Sequence, residues 1–271
     1  MDTQPHLPKE YITDLDLLLV YHASGRSSQV AKQLLDLHYT LRTHLTLLFH
    51  NRIVDNAAEP LLNVMSMTPL PGRTKEGYPI FFGRLLDLEV KNMDHATVLR
   101  HILMIIDLWQ YEEGTWPGFV FVFDLQGISL GHISKMDVKV LQQFMCYLQE
   151  AILLKMTSIH LLNAPPFMNK LMALVKLFMK TELLNILRVH EGMEDLQNYV
   201  PIELLPDELG GKAGTLRECK DRIVTKLEAN KDYFAEENKK RVTEALRPGK
   251  PKTIADIFDS IEGSFKQLEI D

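Results

Sequence analysis

Apolar residues fill every position from Phe119 to Leu125 except Asp124, with Gly118 before the run and Gly127 after it. That pattern predicts a strand buried on both faces. A period of two places Phe119, Phe121, Phe123 and Leu125 on one face and Val120, Val122 and Asp124 on the other. One face is therefore bulky and largely aromatic, and it either fills a core or lines a ligand cavity.

On either side the pattern alternates between helix and strand. The leucine-rich run Leu15 to Val20, preceded by Asp14, predicts a short helix ending near Ser24 and Gly25. Val30, Leu34, Leu37, Leu41, Leu45 and Leu48 recur at spacings of three and four behind Ser28, a candidate N-cap, and predict an amphipathic helix. Asn51 to Met67 is mixed and expected to be helical in part, with Thr68-Pro69-Leu70-Pro71-Gly72 breaking it. Tyr78 to Leu86 predicts a strand in which Pro79 favours a first or edge position. Asp94 caps a predicted helix with Val98, Ile102, Ile105 and Trp109 on one face, ending before Gly114. Met136 to Lys155 is predicted helical, with Val140, Phe144 and Leu148 in one row. Ser158 to Asn163 and Asn185 to His190 are the next predicted strands. This alternation predicts crossover units, and so an α/β fold with a largely parallel sheet.

Phe167 to Met179 is apolar almost all round, which predicts either a deeply buried helix or a cover over something apolar; its methionines favour an adaptable surface. From Thr215 the chain turns into charged helix, expected as an appendage, in which Lys239, Lys240 and Arg241 form a solvated basic face. Ile254 to Ile270 carries enough spaced apolar residues to dock on the body. The predicted division is a helical N-terminal subdomain over 1–58, a central domain over 59–215 and a helical extension over 216–271.

Composition narrows the function classes. The 271 residues are 46% apolar and 24% charged, as in ordinary globular proteins, and the net charge of −6 argues against a general nucleic-acid-binding surface. Cys146 and Cys219 form neither a disulfide framework nor a metal-ligand cluster, and free thiols in a reducing, cytoplasmic compartment are expected. The first ten residues lack the pattern of a secretory signal, and no apolar run reaches membrane-spanning length. Gly127-Ile128-Ser129-Leu130-Gly131 spells G-x-S-x-G, the nucleophile elbow of α/β-hydrolases. An elbow needs a helix straight after its serine, whereas the next helical start reads as Ser134 with Asp137, so the elbow is disfavoured. His132, His160 and His190 fall in separate strand or turn positions without zinc-ligand spacing and read as structural histidines.

Several motifs in order resemble the CRAL-TRIO lipid-binding family, in its tocopherol-transfer-like branch as found in insects. They are Phe123-Asp124-Leu125 with Gly127 and His132, Ile159 to Asn163 with Pro165 and Phe167, Val189-His190, and Leu205-Pro206-Asp207-Glu208-Leu209-Gly210-Gly211. The tail segments Leu246 to Pro251 and Glu262 to Lys266 look similar to the same branch. The resemblance implies a mixed, largely parallel sheet floored by helices, one apolar cavity, and a mobile lid helix, by position Phe167 to Met179. It also implies that the glycines around Ser129 belong to a strand-end turn. Two departures stand out. Thr181-Glu182-Leu183-Leu184 holds an acid and leucines where the branch carries lysines, and Leu18 to Ser28 keeps only Arg26 of several arginines. Both leave a phosphoinositide headgroup in question as a partner.

The expected function is a carrier that binds one hydrophobic molecule, such as a retinoid, carotenoid, tocopherol or similar lipid, and exchanges it at a transient membrane surface. No cofactor, metal or covalent chemistry is expected. Expected wall and lid residues are Phe121, Phe123, Leu125, Val140, Phe144, Phe167, Leu171, Leu174, Val175 and Phe178, with Ser129 as the polar anchor. The alternatives are a lipid-gated interaction module using residues 216–271 and a serine hydrolase acting through Ser129.

Overall fold

The computed structural model describes residues 3–53 and 62–259. At its centre lie β1 (Met65–Arg73), β2 (Pro79–Leu85), β3 (Phe119–Asp124), β4 (Met156–Leu162) and β5 (Leu187–Val189), side by side in chain order in a five-stranded sheet. β1 is antiparallel to β2, and β2 to β5 are parallel. β3 sits in the middle with both faces covered, which is why its sequence carries no alternation of polar and apolar positions. Pro79 opens β2, a position where its missing N–H breaks no ladder bond between paired strands.

Three helices precede the sheet: α1 (Asp14–Ala23), α2 (Ser28–His44) and α3 (Thr46–Phe49). Between strands come α4 (His95–Glu113), then α5 (Leu130–Ser134) with α6 (Val138–Glu150), then α7 (Met168–Lys176) with α8 (Thr181–Asn185). After β5 come α9 (Met193–Leu196), α10 (Leu216–Ala229) and α11 (Lys231–Glu237). Parallel strands in simple chain order cross over in one direction, so the right-handed rule sends their helices to one face of the sheet. The packing agrees. Phe81, Phe119 and Phe121 share a buried cluster with Ile102, Ile105 and Trp109 of α4 and Val140 and Phe144 of α6. On the opposite face Ile80, Phe82, Val120 and Val122 pack against Leu196, Val200, Leu205 and Leu216.

Several sequence expectations need correction. Thr68 to Gly72, read as a break, lies inside β1. As the outer strand of the sheet, β1 tolerates Pro69 and Pro71, and its pairing shifts register between Pro69 and Arg73. The N-cap of α2 is Ser27, whose side chain accepts from the Val30 N–H, and the leucine stripe is interrupted at Leu45 before α3. Asn185 ends α8 and is not part of a strand. The boundary expected near residue 59 and the motif Glu262 to Lys266 lie outside the described residues.

The charged stretch after Thr215 is not set apart from the body. Ile223, Leu227 and Phe234 join the main buried cluster, and Ser66 Oγ of β1 donates to Leu216 O at 2.9 Å. Beneath these helices lies a buried ion network. Arg42 of α2 donates to Glu237 at 2.8 Å and also bonds Asp107 of α4, which Arg52 meets at 2.6 Å. Lys240, read as a solvated cation, is 5% exposed and bonds Asp16 at 2.7 Å and Glu237 at 2.5 Å. Arg241 bonds the Phe49 carbonyl, so of that basic run Lys239 alone is a surface side chain. Of the expected docking tail Ile254 to Ile270, the described part packs on the same core, with Ile257 buried and Ile254 and Phe258 beside it; the rest lies outside the described residues.

Candidate functional site

The aromatic face of β3 forms a layer. Phe121 stacks on Phe123 with ring centroids 5.5 Å apart, and Phe81 of β2 meets Phe121 edge-on at 5.5 Å. Gly83 lets the Phe123 ring lie close across β2: a Cβ there would sit 3.0 Å from the ring, so any other residue would require the ring to shift by a few tenths of an ångström. Above the layer, Val140 and Phe144 project from α6, with Met136, Met145 and Met156 beside them. Unbranched, polarisable methionines let an apolar wall fit more than one shape.

Helix α7 packs on the same apolar cluster through Leu174 and Val175. The chain turns into it after Pro165 and Pro166, and the Met168 N–H donates to Pro165 O at 2.8 Å. No residue of α7 is fully buried. Its inner side carries Leu171, Leu174 and Val175, half-buried, continued by Phe178; its outer side carries Asn169, Lys170, Ala173 and Lys176. Leu177 just beyond is 72% exposed. The segment is thus amphipathic and superficial, a cover and not a core helix. Beyond its C-terminal end the chain is tied to α6: Gln149 Nε2 donates to Phe178 O at 2.8 Å, its Oε1 accepts from the Lys180 N–H at 2.6 Å, and the Lys180 ammonium pairs with Glu150.

Of the expected site residues, the structure brings Phe121, Phe123, Val140, Phe144, Leu174, Val175 and Phe178 into one apolar assembly. Phe167 and Leu171 stand at its edge, half-buried. Leu125 lies past the end of β3, buried but outside that cluster. Ser129 is elsewhere. It caps α5, its N–H donating to His132 Nδ1 at 3.1 Å and its Oγ lying 2.8 Å from the same nitrogen. Sequence reasoning did not single out Phe81, the methionines, Ile159 or Leu187. Their signal was present only in the register, which sets Phe81 and Ile159 beside Phe121.

A helix does begin immediately after Ser129, contrary to expectation, so the case against a nucleophile elbow rests on geometry. Ser129 has φ −118° and ψ 166°, ordinary extended backbone and not the strained turn of an elbow. His132 Nδ1 accepts the Ser129 N–H, so its proton sits on Nε2, a buried atom with no hydrogen-bond partner among the described residues. The third, orienting group of a triad is missing from that nitrogen. The acid at the strand end is engaged too: Asp124 is 2% exposed and accepts from Arg84 at 3.0 Å and Asn163 at 2.8 Å.

His160 and His190 are not separate. His190 Nδ1 lies 2.7 Å from Asp195 Oδ2, which fixes its proton there; His190 Nε2 then accepts from His160 Nδ1 at 2.7 Å, and His160 Nε2 accepts from Ser158 Oγ at 2.9 Å. Burial, with the neighbouring His190 and Arg188, pushes His160 down to about 4. His160 pairs with Val122 in register and so faces away from the aromatic layer. The relay ties β4, β5 and α9 together behind the sheet.

Two clefts open beside this framework. One, of about 670 Å3, lies between α2, the end of α6, the start of β4 and α8. The other, of about 570 Å3, lies between α1, α4 and α11 over the ion network. No described helix is long and apolar enough to cross a membrane.

The CRAL/TRIO domain model matches residues 63–211. "Alpha-tocopherol transfer protein-like" of Homo sapiens is 26% identical over 228 residues, which cover 83% of this chain and 66% of that protein. "Clavesin-1" of Rattus norvegicus is 27% identical over 116 residues, 42% of this chain and 33% of that protein. The chain thus spans a little under two thirds of the length of the tocopherol-transfer-like relative. Among solved structures, "Crystal structure of Sfh5" aligns over 97% of this chain and 83% of that one, with a TM-score of 0.46 and 16% identity.

Proposed function

The chain belongs to the CRAL/TRIO domain family, and from that premise we propose that it holds one small hydrophobic molecule between the aromatic layer and α7 and delivers it at membrane surfaces without covalent chemistry. The observation that carries the reading is α7 itself. It is an amphipathic surface helix whose Leu174 and Val175, with the adjoining Phe178, pack on the main apolar cluster, while no residue of it is locked in the core. Such a helix can lift without unfolding the sheet, and at a bilayer its apolar side exchanges one apolar phase for another.

Burial is the driving force. At about 25 cal/mol per Å2, a ligand hiding roughly 400 Å2 gains about 10 kcal/mol before the cost of ordering it, enough for tight and reversible capture. Retinoids, carotenoids and tocopherols share this requirement. The relatives named for tocopherol transfer favour that class of prenyl-chain lipid. A partner-binding module built on residues 216–271 has less support, because α10 and α11 spend their apolar faces on the core.

The test is organic extraction of the protein purified from its native source, followed by mass spectrometry and an absorption spectrum. One lipid at near-stoichiometric amount supports the carrier reading and names the cargo. Folded protein with no enriched lipid counts against it.

A further inference from the structure

The cleft between α1, α4 and α11 has a charge-compensated floor and an uncompensated mouth. In the floor three carboxylates meet three cations: Asp16 pairs with Lys240, Glu237 with Arg42 and Lys240, and Asp107 with Arg42 and Arg52. Burial, helped by Arg42, holds His38 there well below its ordinary value of 6.5, so it adds no charge at neutral pH. The mouth sets Glu10, Asp232 and Glu236 against Lys239, and the cleft's groups with their ion-pair partners are left with two negative charges in excess. Asp232 and Glu236 stand one turn apart on α11, where like charges repel unless a cation lies between them. Aromatic rings share this mouth. Tyr11 lines it, as do Tyr111 of α4 and Tyr233 of α11, whose ring centroids are 4.5 Å apart. The molecule itself shows what such a wall takes: the Lys239 ammonium lies 5.9 Å from the centre of the Tyr11 ring while it pairs with Glu236 at 2.6 Å. A ring face beside a carboxylate is suited to an alkylammonium group. The volume of about 570 Å3 is in the range of small-molecule sites.

We propose that this cleft binds an aliphatic polyamine, one ammonium competing with Lys239 for Tyr11 and Glu236 and a second lying between Asp232 and the Tyr111–Tyr233 pair. Two positive charges match the two in excess. The rings select an alkylammonium over a hydrated inorganic cation, which carboxylates alone would not do. Tyr11 precedes α1, whereas Asp232 and Glu236 belong to α11, so the occupant ties the N-terminal helices to the C-terminal extension. No residue of the aromatic layer or of α7 takes part, and the inference stands apart from the lipid reading.

The test titrates the full chain with putrescine and with spermidine by isothermal titration calorimetry at about 0.15 M salt, where diffuse surface attraction is screened. Magnesium chloride is the comparison, an inorganic cation with the charge of putrescine. The expected result is one amine per chain, spermidine the tighter, and no saturable heat from magnesium. Tyr11→Leu with Tyr111→Leu, which leaves the charge unchanged, weakens binding about tenfold. Asp232→Asn with Glu236→Gln abolishes it. All four side chains are exposed, so these variants fold, and circular dichroism melts verify it. Lys239→Gln removes the internal competitor and tightens binding roughly threefold, the scale of an exposed ion pair. Lys212→Gln, the same charge change at an exposed position outside the cleft, leaves affinity as it was. Absence of saturable amine binding, magnesium binding as tight as putrescine, unchanged affinity in either double variant, or equal tightening by Lys212→Gln and Lys239→Gln overturns the proposal.

Discussion

Replacing Glu237 by glutamine removes one charge from the centre of the ion network while keeping the side chain's shape. The carboxylate is 4% exposed and lies among Arg42, Arg52 and Lys240. Burial alone pushes the acid up, but Arg42, Lys240 and Arg52 overcome it and hold it at about 2, against an ordinary value of 4.5. Each pH unit between those values is worth about 1.4 kcal/mol, so the ionised group contributes about 3 kcal/mol. Because the folded-state value is the lower one, that contribution is complete above pH 4.5 and is lost as the pH falls from there through about 2. Breaking a buried ion pair by removing one partner independently costs about 3–5 kcal/mol. Glu237→Gln should therefore lower stability by about 3–4 kcal/mol at pH 7, and the gap from wild type should close as the pH is taken towards 2. Urea unfolding followed by circular dichroism at pH 7, 5 and 3 measures it. A loss below about 1 kcal/mol at pH 7, the size of a surface ion pair, would refute the reasoning, as would a gap that does not change between pH 5 and pH 3.

Other outcomes follow from the same structure. Leu174→Asp with Phe178→Asp should reduce lipid loading by roughly 100-fold, since two carboxylates are set against apolar wall, while thermal unfolding changes little because α7 buries no residue completely; loading assayed by extraction checks it. Wild-type protein should resist labelling by a fluorophosphonate, and Ser129→Ala should instead cost about 1 kcal/mol of stability through the lost cap, read from denaturant melts. His160 is held at about 4 in the folded state against 6.5 when unfolded, so the unfolded chain takes up the proton first and stability falls as pH drops from 6.5 towards 4. In His160→Gln that part of the pH slope should disappear.

The central strand was legible because its chemistry is local: seven positions, two faces, and no room for polar alternation. The helix within Phe167 to Met179 was legible in position; its apolar count left open a buried helix or a cover, and the exposed side carrying Asn169, Lys170 and Lys176 shows only in the actual phase of α7. β1 was missed because Pro69 and Pro71 are read as breakers in a paired strand and are harmless on an outer one. The Ser129 turn misled in the opposite direction: a five-residue helix leaves too short a periodic signal to find. Nothing local announces that Arg42, 195 residues from Glu237, will share its carboxylate, or that His160 and His190 will meet across adjoining strands.

The strands' simple chain order has a kinetic consequence. All the crossover helices share one face, while the other is closed separately by Leu196, Val200, Leu205 and Leu216. If α7 lifts as proposed, the first face is disturbed while the ladder between β1 and β4 and the rear layer stay in place. The barrier for the proposed exchange of cargo would then be uncoupled from that for global unfolding. A substitution that tightens packing around Val200 should lengthen the protein's lifetime under heat and leave its ligand off-rate untouched.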